Sequence, residues 1–487
     1  LLLGSYQQLL EGLVECASWW DGLIMAKEAR TLFPTDWLLR KWEQDHMQGF
    51  KGRHEALKDE KCSYEQLLNA TRSGKIAQKK YPWLKQKRFI RTPRAVRIIN
   101  NHFKDKCCEV KPVFFGTPEE IEEAKGKAIL EKNDMGPLGL FSKRDIQEGE
   151  MILIDETLLA VSNVPASRLH HCDACQSCLL PPYIHPNEIV NPKCCKAVAF
   201  CSQSCHDIAT NSRINGYHRV LCGKNIDWLY EDLKGMAGDK IEEQCLDDFW
   251  KPISFMRLAT LVVTDMEKQA QNSGRESHPL KHNLLYRMAA NYARVNDLEP
   301  AVYDWRYNTN VVAPTKALIE MGVDIFKTNH WDQEVIQTCY WRIENNANMG
   351  PCNLYPEGEV PNVEGTPIIP KINNISVNPN YLFFNHSCTP NVSWHSALPS
   401  PKVDLAWLAD GKGGLLRPGN SAVSCIADRD IKEGEELKIS YVGNALGVDD
   451  GIEANSREHK RTWLDKWFTG GCGCEVCEGE NAANAAK

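Results

Sequence analysis

No apolar run in this 487-residue sequence approaches the roughly 18 residues that a membrane-spanning helix needs. A helical membrane anchor is therefore excluded within it, and no membrane partner is expected. No cleavable secretion signal opens the sequence, and because it starts with Leu rather than Met, further residues are expected upstream. Strong charge is lacking as well: the formal net charge of −7 is mild for this length and does not by itself point to nucleic acid. One stretch, residues 71–104, has no Asp or Glu at all, while Arg72, Lys75, Lys79, Lys80, Lys85, Lys87, Arg88, Arg91, Arg94, Arg97 and Lys104 are basic. With Tyr81, Trp83 and Phe89 interleaved, it reads either as a track for a phosphate backbone or as a solvated face or docking linker. Pro82 and Pro93 argue against one long helix there.

What is present is globular composition, with 43% hydrophobic and 25% charged residues. The length calls for two to four domains. The cysteines are clustered: of 20, eight lie between Cys172 and Cys222, and three more sit at Cys472, Cys474 and Cys477. Disulfide scaffolds belong to short secreted chains that cannot build a core. Close C-x2-C, C-x-C and H-x3-C spacings favour zinc in a reducing compartment, the nucleus or the cytoplasm.

The chain opens on paired helices. Tyr6, Leu9, Leu10, Leu13 and Val14 fall at helical spacing, as do Leu23, Ala26, Ala29 and Leu32 before Phe33-Pro34 stops the second helix. The alanine-lined pair resembles a tetratricopeptide repeat, which cannot bury its face alone; an ordinary helical hairpin is the other reading. Short strands follow. Arg144-Asp145-Ile146-Gln147-Glu148-Gly149-Glu150 is nearly copied by Arg429-Asp430-Ile431-Lys432-Glu433-Gly434-Glu435, and each Gly-Glu turn leads into an alternating apolar run. Between them lie the Cys-rich segment and an amphipathic helical region.

Cys172-x2-Cys175, Cys194-Cys195, Cys201-x3-Cys205 and His218-x3-Cys222 supply ligands for two tetrahedral zinc ions. This pattern, with Ala197-Val198-Ala199-Phe200 before Cys201, resembles a MYND zinc finger. The resemblance implies that Cys172, Cys175, Cys201 and Cys205 share one ion, and Cys194, Cys195, His218 and Cys222 the other. The family's central C-x2-C is absent, since position 192 is Pro192, and Cys178 is an alternative to Cys194 or Cys195. Such a finger would bind peptide partners and draw its folding energy from the metal.

Asn385-His386-Ser387-Cys388-Thr389-Pro390-Asn391 crowds polar and turn-forming residues behind apolar Tyr381-Leu382-Phe383-Phe384. This run, Leu138-Gly139-Leu140-Phe141, the strand leading to Tyr441 and the terminal C-x-C-x2-C together resemble a SET domain with its zinc-binding tail. The finger inserted after the first signature resembles the SET and MYND domain family of protein-lysine methyltransferases, in the variant carrying tetratricopeptide-like helices. The resemblance implies S-adenosylmethionine as cofactor, cradled by Leu138, Gly139 and Leu140 and bound by Asn385, His386 and Asn346, with Asn346 otherwise an ordinary turn residue. Tyr441 would present its hydroxyl at the methyl-transfer point. Trp467 or Phe468 would stack on adenine, since Gly470-Gly471 precede Cys472. Cys388 would join Cys472, Cys474 and Cys477 around a third zinc. Pro137 stands where the family has the first glycine of Gly-x-Gly.

The expected fold is therefore α+β and multidomain: tetratricopeptide-like helices over 1–70, a basic linker over 71–110, and a β-rich SET fold over 111–171 and 341–445. The finger (172–222) and a helical insertion (223–340) split that fold, and the zinc-binding tail (446–487) closes it. The expected activity is methyl transfer to lysine of a histone or other protein by a monomer holding about three zinc ions. The competing reading is a catalytically weak scaffold that binds protein partners in transcription regulation.

Overall fold

The computed structural model describes residues 1–58, 67, 70–77, 92–113, 135, 137–162, 171–177, 179, 184, 186–226, 228–229, 246–274, 277–288, 302–327, 329–351, 373–396, 421–448, 455–464, 468 and 472–485. The chain is mixed helix and sheet, and its residues form two compact units. One comprises 1–84, 225–256 and 294–340; the other comprises 85–224, 257–293 and 341–487.

The first unit opens with α1 (Leu2–Glu15), α2 (Trp19–Leu32) and α3 (Trp37–Leu57). Leu10, Leu13, Leu23, Ala26 and Ala29 are buried at the spacing the sequence predicts, while Leu32, at the last turn of α2, is exposed. The third helix was not read from the pattern. Asp36 starts it by accepting the Leu39 amide at 2.9 Å, a side-chain cap that satisfies one orphan donor. Gly22 lets α2 and α3 approach: a Cβ there would lie 2.0 Å from Cε1 of the buried His46. Two short strands also appear, one in the segment expected as a basic linker and one in the expected helical insertion. Strand β1 (Gly74–Ala77) pairs antiparallel with β6 (Val302–Trp305), and buried Asp21 accepts from Ser18 Oγ at 2.7 Å and from the Tyr307 amide at 2.9 Å. Residues expected in a helical insertion thus share one compact unit with the opening helices. Of the basic stretch, residues 78–91 lie outside the described residues; Arg72 is stacked on Trp20, 4.6 Å from the ring centre.

Among the described residues, the second unit holds three small sheets. One orders β10 (Val392–Ser396), β11 (Val423–Ala427) and β4 (Met151–Asp155). A second orders β5 (Ala160–Ser162), β8 (Asn373–Ser376) and β7 (Asn348–Pro351). The third orders β2 (Cys108–Pro112), β3 (Leu138–Ser142), β12 (Glu436–Ile439) and β9 (Asn385–His386), with β12 and β9 parallel. β2 crosses the boundary that the sequence reading drew at 110. Apolar residues from the strands, including Val110, Leu140, Val423, Leu437 and Ile439, close one core with Ile99, Phe103 and Phe383.

The two near-copied turns pack against each other with nearly the same bonds. Ile146 and Ile431 exchange both backbone hydrogen bonds at 2.9 Å. The Glu148 amide donates to Asp430 at 3.0 Å, and the Glu433 amide donates to Asp145 at 2.9 Å. Arg144 pairs with Glu150 as Arg429 pairs with Glu435. Gly149 and Gly434 have φ of 79° and 83°, a region that favours glycine. The first turn links β3 to β4 and the second links β11 to β12, so both border the sheet that carries the candidate site.

Candidate active site and thiol clusters

The third sheet brings together residues far apart in sequence. β12 pairs with β3 on one side, Leu437 opposite Leu140, and with β9 on the other, Ile439 opposite His386. Asn385 Nδ2 donates to the Leu138 carbonyl at 3.2 Å and to Glu436 Oε1 at 2.8 Å. A Cβ on Gly139 would lie 2.6 Å from Glu436 Oε1, 2.7 Å from Val113 Cγ2 and 2.8 Å from Asn385 Nδ2, so only glycine fits beside this contact. Leu138 and Leu140 are buried and turn their side chains into the core. Pro137 does not interrupt the ladder: its carbonyl accepts the Val113 amide at 2.8 Å, and a proline before a strand needs no amide of its own.

Ahead of β9, a buried carboxylate sets the approach. Asp155, at the end of β4, accepts from the Asn380 amide at 2.6 Å, from Asn380 Nδ2 at 2.8 Å and from the Tyr381 amide at 2.8 Å. Burial pushes its pKa up, opposed by these bonds and by the Arg287 charge. Arg287 in turn donates to Asn380 Oδ1 at 2.8 Å.

His386 is buried, and its ring faces inward. Nδ1 accepts the Tyr441 amide at 3.1 Å, so Nε2 carries the proton in the neutral ring, and it lies 3.6 Å from Cys388 Sγ. Tyr441 Oη donates to the Phe384 carbonyl at 2.8 Å. Burial, and after it the Glu436 charge, holds the phenol well above its ordinary pKa. It stays protonated at neutral pH, with oxygen lone pairs left to accept a hydrogen bond. Phe468 closes a ring trio: its centroid is 5.8 Å from His386 and 6.2 Å from Tyr441, and those two are 5.3 Å apart. Trp467 and Gly470-Gly471 lie outside the described residues. Asn346 is not in a turn; it ends the helix Gln333–Asn346, and its Nδ2 donates to the Arg342 carbonyl at 2.7 Å.

Among the described residues, three groups of Cys and His place their ligand atoms within 4.8 Å of one another: Cys172, Cys175, Cys201 and Cys205; Cys194, Cys195, His218 and Cys222; Cys388, Cys472, Cys474 and Cys477. Four thiolates 2.3 Å from a zinc ion stand about 3.8 Å apart at the corners of a tetrahedron. The sulfurs measure 3.5 Å for Cys175–Cys201, 3.7 Å for Cys201–Cys205 and 3.8 Å for Cys388–Cys472. Cys388–Cys477 and Cys472–Cys477 measure 3.7 and 3.8 Å. In the middle group the adjacent Cys194 and Cys195 both reach His218 Nε2, at 3.5 and 3.4 Å, close to the roughly 3.5 Å that a sulfur and a nitrogen on one zinc require. Cys178 lies outside the described residues. The donor sets and their spacing fit zinc at all three groups.

A buried charge network joins the first two of these groups. Asp173, beside Cys172, accepts from Tyr217 Oη at 2.9 Å and from Arg257 Nη2 at 2.8 Å, and Tyr217 precedes His218. Burial opposes ionisation of Asp173, but the Arg257 guanidinium wins and holds its pKa below the ordinary value. Sequence reasoning did not find Asp173, Glu436, Asp155 or Arg457. Each is a common charged residue whose partner is distant in the chain, and only the Gly-Glu-Glu turn before β12 hinted at Glu436.

The family model for the SET domain matches residues 137–442, more than half of the chain. The chain belongs to the SET domain family. No curated protein matches it. Protein-lysine methyl transfer is the property of SET domains in general, and Leu138–Leu140, Asn385–His386 and Tyr441 all lie within the matched span.

Proposed function

We propose that this SET domain transfers a methyl group from S-adenosylmethionine to a lysine side chain of a histone or another protein. The observation that carries the reading is the convergence of three sequence-distant segments, seen in Asn385 Nδ2 on the Leu138 carbonyl and the Tyr441 amide on His386 Nδ1. When bound, the cofactor supplies a methyl group already activated by a sulfonium, so the protein need provide no nucleophile or metal at the reacting carbon. The backbone at Gly139, the Asn385 side chain and the His386 main chain would hold it, with Phe468 against the adenine and Asn346 as a further contact. Tyr441, fixed by its bond to Phe384, would accept a hydrogen bond from the lysine amine and aim the nitrogen lone pair along the line of transfer. The amine must be neutral to react; an apolar channel and a neighbouring cation both lower its pKa. Its proton leaves to water before transfer.

We read residues 172–222 as a MYND-type finger with two zinc ions that binds peptide partners, and the opening helices as tetratricopeptide-like. The tail would carry a third zinc through Cys388, Cys472, Cys474 and Cys477. A radiolabelled methyl-transfer assay with wild type and Tyr441→Phe tests the proposal. Incorporation by wild type and a loss of roughly 10²-fold in the variant is expected for one preorganised hydrogen-bonding group. Equal incorporation by both would sink the role of Tyr441, and none from wild type on histones and lysates would favour the binding scaffold.

A further inference from the structure

All five guanidinium N–H donors of Arg457 are directed at acceptors around the tail thiol group. Nη1 reaches Cys388 Sγ at 3.2 Å and the Ala445 carbonyl at 2.9 Å. Nη2 reaches Cys477 Sγ at 3.4 Å and Glu480 Oε2 at 2.9 Å. Nε completes the fork on Glu480 Oε1 at 2.9 Å. Arg461 Nη1 holds the same Glu480 oxygen at 2.7 Å. One planar group thus touches two of four sulfurs, the turn after β12 and the terminal helix Glu475–Ala485.

The position is built in rather than incidental. Gly447 has φ of 80°, and a Cβ there would lie 2.5 Å from the Arg457 amide nitrogen, so the chain crosses itself closely where the helix Arg457–Leu464 begins. Four thiolates around a divalent ion leave a net charge of −2, and N–H donors in the outer shell relieve it without occupying a ligand position. Lysine has three donors on a single nitrogen and no fork, so it cannot serve two sulfurs and a bidentate carboxylate together.

We propose that Arg457 is the outer-shell counter-ion of the tail zinc site and a positioning residue: it fixes Cys388 and Cys477 on the metal and, through Glu480, fastens the terminal helix to them. This rests on the reading of that thiol group as a zinc site.

The full-length protein, loaded with zinc, is compared as wild type, Arg457→Met, Arg457→Lys, Glu480→Gln and Cys388→Ser. Total zinc is counted by mass spectrometry, release to 4-(2-pyridylazo)resorcinol is timed, and the fold is followed by circular dichroism. Cys388→Ser identifies the tail ion as the zinc it lacks. In Arg457→Met that ion is expected to bind 10–100-fold more weakly, the usual cost of losing an outer-shell partner. Arg457→Lys should recover only part of that loss, and the finger zinc should leave at the wild-type rate throughout. A tail ion released at the wild-type rate from folded Arg457→Met overturns the inference. If Arg457→Met does not fold, Glu480→Gln decides: faster release of the same ion supports the inference and unchanged release overturns it. A wild-type zinc count in Cys388→Ser overturns the zinc reading and the inference with it, and the count alone tells that failure from the first.

Discussion

The two compact units are held together by different means. In residues 1–84, 225–256 and 294–340, stability comes from packed helices, close approaches such as Gly22 under His46, and buried polar bonds such as Asp21 to Tyr307. In residues 85–224, 257–293 and 341–487 lie all three thiol groups, each joining segments that the backbone alone would leave apart. The tail group ties Cys388 to Cys472, Cys474 and Cys477, next to His386 and Tyr441. The lesson is that one unit rests on packing alone, while the other adds three groups of thiols that could hold a metal, and on the zinc reading it would depend on that ligand as well. The two should therefore fail under different insults.

The largest expected effect breaks the metal side of that contrast. Cys388→Ser should remove one zinc and lower methyl transfer by at least the 10–100-fold typical of losing even an outer-shell partner, because it unfastens the tail from β9. Cys194→Ser should also remove one zinc, yet leave transfer close to wild type, since its ligands close a loop within the finger. Metal counts beside turnover rates check both. Equal loss of activity in the two variants would show that the finger and tail groups are not functionally distinct. Next comes Gly139→Ala, whose new Cβ would meet Glu436, Val113 and Asn385. The overpacking cost of about 1–3 kcal/mol should appear as cofactor binding weakened on the order of tenfold or more, read by titration calorimetry, with zinc retained.

A smaller effect belongs to the packing side. Gly22→Ala places a Cβ against the His46 ring and should destabilise the first unit by about 1–3 kcal/mol, measured by thermal unfolding, with the zinc count unchanged. Zinc loss in this variant would mean that the two units do not fail separately.

How much of this was legible follows from the range of the interactions. Pairs such as Cys172/Cys175 and Cys201/Cys205 stood out because short spacing encodes local geometry, whereas the grouping of the pairs, the place of adjacent Cys194 and Cys195, and the addition of distant Cys388 rested on the family resemblance and not on spacing. The paired turns at Ile146 and Ile431 were readable because near-identical residues make near-identical local bonds. Tyr441 was readable only through its neighbours, as a strand tyrosine is usually core. The pairing of β1 with β6 was not legible: four-residue strands carry too short an alternation, and their partners lie far apart in sequence. Nor was the inward-facing ring of His386, because the residue type does not say which nitrogen meets which partner. Arg457 sits among exposed-looking Lys460 and Arg461, and nothing local separates a counter-ion from a solvated charge.

The smallest expected effect sharpens the contrast through pH. His46 is fully buried, and burial lowers its pKa below the ordinary value. In the unfolded chain the ring protonates near pH 6.5, while the folded ring stays neutral to lower pH. Between those two values the unfolded state binds more protons, so stability rises with pH there; it is fully present above about 6.5 and declines as pH falls through that value. One proton sets a ceiling of about 1.4 kcal/mol per pH unit. Trp19 and Trp42 lie 5.8 and 6.1 Å from His46, but fluorescence is shared among 14 tryptophans, so hydrogen exchange of the α2 and α3 amides is followed to read the first unit by itself. Unfolding midpoints at pH 7.5 and 5.5 should fall further in wild type than in His46→Leu, which has no ring to protonate. On the zinc reading, acid release of the metal is common to both proteins and cancels in the difference. Equal falls would place the acid sensitivity entirely on the thiol groups and remove the first unit from it.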